Sequence, residues 1–256
     1  LAGPARRGRH PRDARCDGHG VAPDDGAAPC ADRVDVDHRQ GERTAADGTR
    51  LAATLFVPDG APPAGGWPAI VFMHGLGGDR SSTIAIARLM GVVGSDYVVL
   101  AYDARGHGSS SGLIGIDGPN EIADVRAVFT WLRDRADVAD GKIGAWGISY
   151  GGGATWNSLA AGVPWAAVEP VITWTNLEQA LAPQRLAKTG VVAGFLSSLD
   201  PKKVDPEVFA IRDAAFSGTL AGVSAFSSAR SSAGSLKSIK TPVFMMQGRR
   251  DFAFGL

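Results

Sequence analysis

Among the residues able to do chemistry, Ser149 occupies the most telling position. It lies in Gly147-x-Ser149-x-Gly151, after an apolar run (143–148) that predicts a buried strand and before a stretch (154–161) that predicts a helix. Packing a strand end against a helix start leaves no room for side chains two positions either side of the serine, so both are glycine. Such a turn, a nucleophile elbow, lifts the hydroxyl clear of the sheet. It also aims the first amides of the helix, that of Tyr150 foremost, at the place where negative charge would develop. A G-x-S-x-G string alone is only a common glycine-rich turn. The strand before it and the helix after it make the elbow reading the stronger one.

The elements that must position this serine follow from hydrophobic pattern. Residues 34–38 alternate, Asp47-Gly48 signals a hairpin, and residues 50–57 run to Pro58. Residues 69–73 form a continuous apolar run, the mark of a strand buried on both faces of a parallel sheet; it ends in His74-Gly75-Leu76-Gly77-Gly78, with a helix expected over 81–93. Residues 97–101 are the next buried strand, ending near Asp103. Pro119 stands at a first helical position with Asp117 as its expected cap. Ile122, Val125, Val128, Phe129 and Leu132 then share one face, which reads as core packing. Residues 166–172 form a further strand, weakened by Pro170.

From about 173 to 238 the pattern changes to short amphipathic pieces (177–188, 191–199, 206–216) parted by Pro, Gly and Ser, as in a helical cap inserted between two sheet strands. Residues 241–248 resume the sheet and lead to Arg249-Arg250-Asp251. Strands alternating with helices at this spacing predict an α/β fold with a doubly wound, mostly parallel sheet. Ligands of such sheets bind beyond the carboxyl ends of the strands, where His74, Asp103, Ser149 and Asp251 all fall. The expected organisation is a disordered tail (1–32), a first core segment (33–172), the cap (173–238) and a final core segment (239–256).

Bulk properties exclude several alternatives. In 256 residues, 26 basic and 26 acidic side chains balance, so nothing points to nucleic acid or an acidic membrane surface. No apolar run approaches the roughly 18 residues a membrane span needs. Residues 1–32 have almost no large apolar side chains and no signal-peptide h-region; Arg6, Arg7, Arg9, Arg12 and Arg15 make a basic arm the competing reading to a solvated tail. Cys16 and Cys30 would pair if the protein is exported, but two cysteines near one terminus do not fix the compartment. His10, Cys16, His19 and Cys30 lack metal-ligand spacing, and no metal is expected. Gly75-Leu76-Gly77-Gly78 lacks the lysine and the spacing of a nucleotide loop, and no cofactor is expected.

Three segments together resemble the α/β-hydrolase fold, and within it the branch of X-Pro dipeptidyl-peptidases (peptidase family S15) and cocaine-esterase-like acyl esterases. They are Asp47-Gly48-Thr49-Arg50 with the strand that follows, Asp103-Ala104-Arg105-Gly106-His107-Gly108 with its serines, and residues 144–156 with Ser149-Tyr150. The resemblance implies Ser149 as nucleophile, the amides of Leu76 and Tyr150 as oxyanion donors, and Asp251 as the acid of the triad. His74, Gly75, Gly147 and Gly151 would support them. Glu169 is a weaker acid candidate, and a capping or salt-bridged Asp251 is the competing structural reading. Asp103 and Arg105 are expected to brace a loop, and His107 to be a loop residue. The substrate implied is a small ester or peptide.

Two departures qualify the resemblance. Family S15 commonly supplies an oxyanion donor from a tyrosine after the strand that here ends at Met73, whereas this chain has His74-Gly75-Leu76-Gly77-Gly78, the backbone-donor arrangement of esterases and lipases. Triad order in this fold is serine, acid, histidine. All five histidines (His10, His19, His38, His74, His107) precede Ser149. The chain therefore reads as a fragment, with the triad histidine and the last strand and helix of the sheet expected beyond Leu256. The alternative is a catalytically inactive binding module of the same fold.

Overall fold

The computed structural model describes residues 36–45, 47–219 and 221–255. The expectations for the tail, its arginines, Cys16, Cys30, His10 and His19 lie outside the described residues. Strands β1 (Val36–Thr44) and β2 (Arg50–Pro58) form the expected hairpin. Its turn is set by Gly48 at φ 84° and by the Asp47 carboxylate, which accepts from the Thr49 amide at 2.9 Å. Then come β3 (Trp67–Met73), α1 (Arg80–Leu89), β4 (Val98–Tyr102), α2 (Pro119–Arg133), β5 (Val138–Ile148), α3 (Tyr150–Ala160) and β6 (Val168–Val171). The sheet order is β1-β2-β4-β3-β5-β6; β1 and β2 join antiparallel, and β4, β3, β5 and β6 run parallel.

Side-chain alternation along the parallel strands sorts the core into two layers. Val71, Met73, Leu100, Tyr102, Ile143 and Ala145 face one side, where α2 and α3 pack through Val125, Val128, Leu132, Ala154 and Leu159. Phe72, Val99, Ala101 and Trp146 face the other, against Ala87 of α1. Helices on both faces are what the buried parallel strands require.

After β6 come α4 (Leu177–Leu181), α5 (Thr189–Ser197), α6 (Pro206–Phe216) and α7 (Ala221–Ser228), with short 3-10 turns between and after them. A third apolar cluster joins this region to the elbow: Tyr150, Trp174, Leu196, Val208, Phe226 and Phe254 pack together. The segment after it returns to the sheet, with Val243 and Met246 bridging in parallel to Val168 and Val171.

Four local expectations are corrected. The helix over 81–93 ends at Leu89, where Gly91 at φ 70° turns the chain out. Asp117 does not cap α2. The cap residue is Gly118, without a side-chain bond, while Asp117 is left-handed (φ 52°) and its carboxyl is buried under α3. The piece over 177–188 breaks after Leu181, because Pro183 cannot continue the helix. The strand expected over 241–248 is reduced to two isolated bridges.

Candidate active site

Ser149 is the cap residue of α3, at φ 55° and ψ −112°. A residue with a Cβ rarely adopts this backbone, and it persists only where the surroundings over-determine it. Three bonds do so here. The Ser149 amide donates to the Val171 carbonyl at 2.8 Å, and the Ser149 carbonyl accepts from the Gly153 amide at 3.0 Å and from Thr173 Oγ1 at 2.8 Å. The flanking glycines are steric necessities. A Cβ on Gly147 would lie 2.1 Å from the Gly151 carbonyl oxygen, and one on Gly151 would lie 2.2 Å from that of Met73.

The loop after β3 lies against this turn, since a Cβ on Gly75 would sit 3.7 Å from Ser149 Cβ. His74 shapes the loop. Its Nδ1–H donates to the Gly75 carbonyl at 2.7 Å and its Nε2 accepts from the Ala104 amide at 3.0 Å, which fixes one neutral tautomer. The Gly75 carbonyl also accepts from the Gly78 amide at 3.0 Å. In a trans peptide the next N–H points opposite to the carbonyl, so the Leu76 amide faces away from both donors. Among the described residues, neither the Leu76 nor the Tyr150 amide donates to another protein group; Tyr150 opens a helix, where such amides are free. Leu76 and Tyr150 line the same cavity as Ser149, and free amides are the kind of donor an oxyanion requires.

The Asp103–Gly108 turn braces this arrangement, as expected. Asp103 accepts from the Arg80 amide at 2.7 Å, from the Arg80 guanidinium and from the Ser109 amide at 2.8 Å. Arg105 forks onto both oxygens of Asp124 at 2.7 Å and reaches Asp47 at 3.0 Å. Burial opposes its charge, but these carboxylates outweigh it and hold the guanidinium above its ordinary value.

His107 lies in the same turn, its ring 4.9 Å from that of His74. Its Nδ1–H donates to the Arg105 carbonyl at 3.0 Å, and its buried Nε2 has no partner. Neither imidazole hydrogen-bonds Ser149. Burial lowers the His74 pKa, and burial together with the neighbouring His74 lowers that of His107 to about 4.

A pH prediction follows. In the unfolded chain both rings take up protons near pH 6.5, while the fold refuses them. Their contribution to stability is therefore complete above about pH 6.5 and is lost as pH falls, for His107 towards about 4. Burial raises the Asp117 and Glu121 carboxyls, which contributes a slope of opposite sign. His107→Gln should leave that opposite slope intact. Urea melts from pH 4 to 7 should show a shallower rise of stability with pH in this variant than in the parent.

Asp251 lies after the last sheet segment, as expected. It is not salt-bridged to Arg249 or Arg250, but it does cap the turn that follows, the other half of the competing structural reading: Oδ1 accepts from the amides of Ala253 (2.8 Å) and Phe254 (3.0 Å), and Oδ2 from Gln247 Nε2 at 3.1 Å. Glu169, the weaker acid candidate, lines a groove with Trp146 and Val243 that Ser149 does not line. Sequence reading missed Thr173 and Gln247. Gln247 Oε1 accepts from the Thr173 amide at 3.0 Å, so these two residues connect the Ser149 carbonyl to the Asp251 turn. No motif marks them, because the connection exists only across the sheet. Ser149 lines a half-open cavity walled by Leu76, Trp174, Phe195, Phe226 and Phe254 among others. Among the described residues no group of three or more acidic, histidine or cysteine side chains could hold a metal ion, and no helix is long and apolar enough to cross a membrane.

A parallel sheet with an antiparallel hairpin at one edge, carrying a strained serine between a strand and a helix, defines an α/β-hydrolase fold. Residues 47–200 match the X-Pro dipeptidyl-peptidase (S15) family, and the chain belongs to that family. An esterase of Pyrococcus furiosus superposes with a TM-score of 0.59 at 21% identity, over 86% of this chain and 74% of the esterase. A CocE/NonD family hydrolase of Staphylococcus aureus gives 0.61 at 18% identity, over 81% of this chain and 40% of that protein. These likenesses concern the fold. In sequence, an uncharacterised protein of Mycobacterium tuberculosis is 33% identical over 105 residues, which is 41% of this chain and 35% of that protein. The chain thus spans about a third of the length of the curated relatives it matches.

Proposed function

We propose that the protein is a serine hydrolase that cleaves a carboxylic ester or amide through a covalent acyl-enzyme on Ser149. The observation that carries this reading is the Ser149 backbone, at φ 55° and ψ −112°, held between two glycines that admit no side chain. Strain of this kind collects at functional sites. In the proposed reaction Ser149 Oγ attacks the substrate carbonyl carbon and its proton passes to a base. The amides of Leu76 and Tyr150 stabilise the oxyanion. The leaving group departs with the proton, and water then releases the acid and frees Ser149.

The base is neither His74 nor His107, whose Nδ1 atoms are bonded to backbone carbonyls and which do not touch Ser149. In this fold the base is a histidine that follows the acid in chain order, and the reading gives Asp251 the part of orienting it. A second reading, an inactive binding module, is favoured by that same separation of both imidazoles from Ser149. Fluorophosphonate labelling of the natural full-length protein, mapped by mass spectrometry, distinguishes the two. The expected result is one modified peptide carrying Ser149. A folded protein that stays unlabelled there would establish the binding module instead.

A further inference from the structure

We infer that the acyl group accepted here is an uncharged apolar chain longer than acetyl, seated between the elbow and helices α4 to α7. This inference rests on Ser149 being the nucleophile and adds the class of substrate. Ser149, Leu76 and Tyr150 line the cavity together with Trp174, Val192 and Phe226. Seventeen of its 21 lining residues are apolar or aromatic. Most of its wall is aliphatic or aromatic, so each methylene moved from water onto it stabilises the bound chain.

The charged groups that touch the cavity argue against a charged acyl group. Among the described residues they are Arg212 and Glu178. Arg212 is engaged elsewhere: its Nε donates to Asp213 at 2.8 Å and its guanidinium lies 4.9 Å from the centre of the Phe209 ring. An acyl carboxylate would thus lose its hydration without gaining a free cation. Glu178 is the one carboxylate available to the free amino group of a dipeptide, and it sits half-buried in the first turn of α4, beside Leu177 and Leu181 of the apolar wall. A single half-solvated carboxylate recognises an ammonium weakly, whereas the aliphatic wall is extensive.

The test uses the full-length protein and p-nitrophenyl esters of two, four, six, eight, ten and sixteen carbons, with an alanyl-proline p-nitroanilide beside them. Each methylene buried should raise kcat/KM by about threefold, so the hexanoyl ester should exceed acetate by about eightyfold. The dipeptide anilide should be at least a hundredfold poorer than the octanoyl ester. Val192→Trp, a substitution at a half-buried wall position of α5, should lower the octanoyl-to-acetyl ratio at least tenfold. An optimum at acetate, a flat profile or preference for the dipeptide would overturn the inference while leaving Ser149 as nucleophile. Calorimetric binding of the octanoyl and acetyl esters to Ser149→Ala protein provides the separate readout. Tighter octanoyl binding beside a parent that turns over nothing would keep the pocket and remove the nucleophile.

Discussion

Ser149→Gly is expected to abolish ester hydrolysis and to melt about 2–4 °C above the parent. The two effects have one origin. Loss of the hydroxyl removes the attacking atom, which should cost about four orders of magnitude or more in kcat. Loss of Cβ relieves a backbone at φ 55° and ψ −112°, whose strain is of order 1–3 kcal/mol for a residue bearing a side chain. Glycine occupies that region freely, and its larger unfolded-state entropy offsets only part of the gain. Ser149→Ala keeps the Cβ and should be equally inactive without the rise in melting temperature. Calorimetry on the three proteins reads the difference directly. If the glycine variant melted no higher than the alanine variant, the strain would not be stored at this position.

Gly151→Ala should destroy the fold rather than the chemistry. The added Cβ would lie 2.2 Å from the Met73 oxygen and 2.5 Å from the Met73 carbon, both backbone atoms of β3 that cannot swing aside. To make room, α3 must lift from the sheet, at a cost of about 3 kcal/mol or more. Against a total stability of roughly 5–15 kcal/mol, that should send the protein into the insoluble fraction or lower its urea midpoint sharply. Gly190→Ala is the matched control. Gly190 lies in α5 with nothing within 4 Å of a Cβ, and alanine there should leave the midpoint unchanged or raise it slightly. Equal effects at the two positions would mean that the elbow is not closely packed.

Most of the sheet was legible because its signals are short-range. Apolar runs such as residues 69–73 and the Asp47-Gly48 turn each specify their own element, and the glycines around Ser149 specify the elbow. Misreadings arose where a tertiary contact overrode a local preference. Asp117 has the chemistry of a helix cap, yet its left-handed backbone buries the carboxyl against Gly153, where neither oxygen finds a partner. The segment over 241–248 is as apolar as a central strand, but Phe244 is 65% exposed and only two bridges form. His74 was singled out as a supporting residue; that its two ring nitrogens join the Gly75 carbonyl to the Ala104 amide was not legible, since Ala104 is thirty residues away. Thr173 and Gln247 were invisible for the same reason.

The bonds through those last two residues bear on how this end of the molecule breathes. Gln247 holds the Thr173 amide with one end of its side chain, and the Asp251 carboxylate and Phe254 carbonyl with the other. Thr173 in turn holds the carbonyl of Ser149. The Asp251 turn is therefore tied to the elbow: one side-chain amide, that of Gln247, holds both the turn and the residue whose hydroxyl bonds the Ser149 carbonyl. Residues separated by about a hundred positions thus share a single local unfolding event.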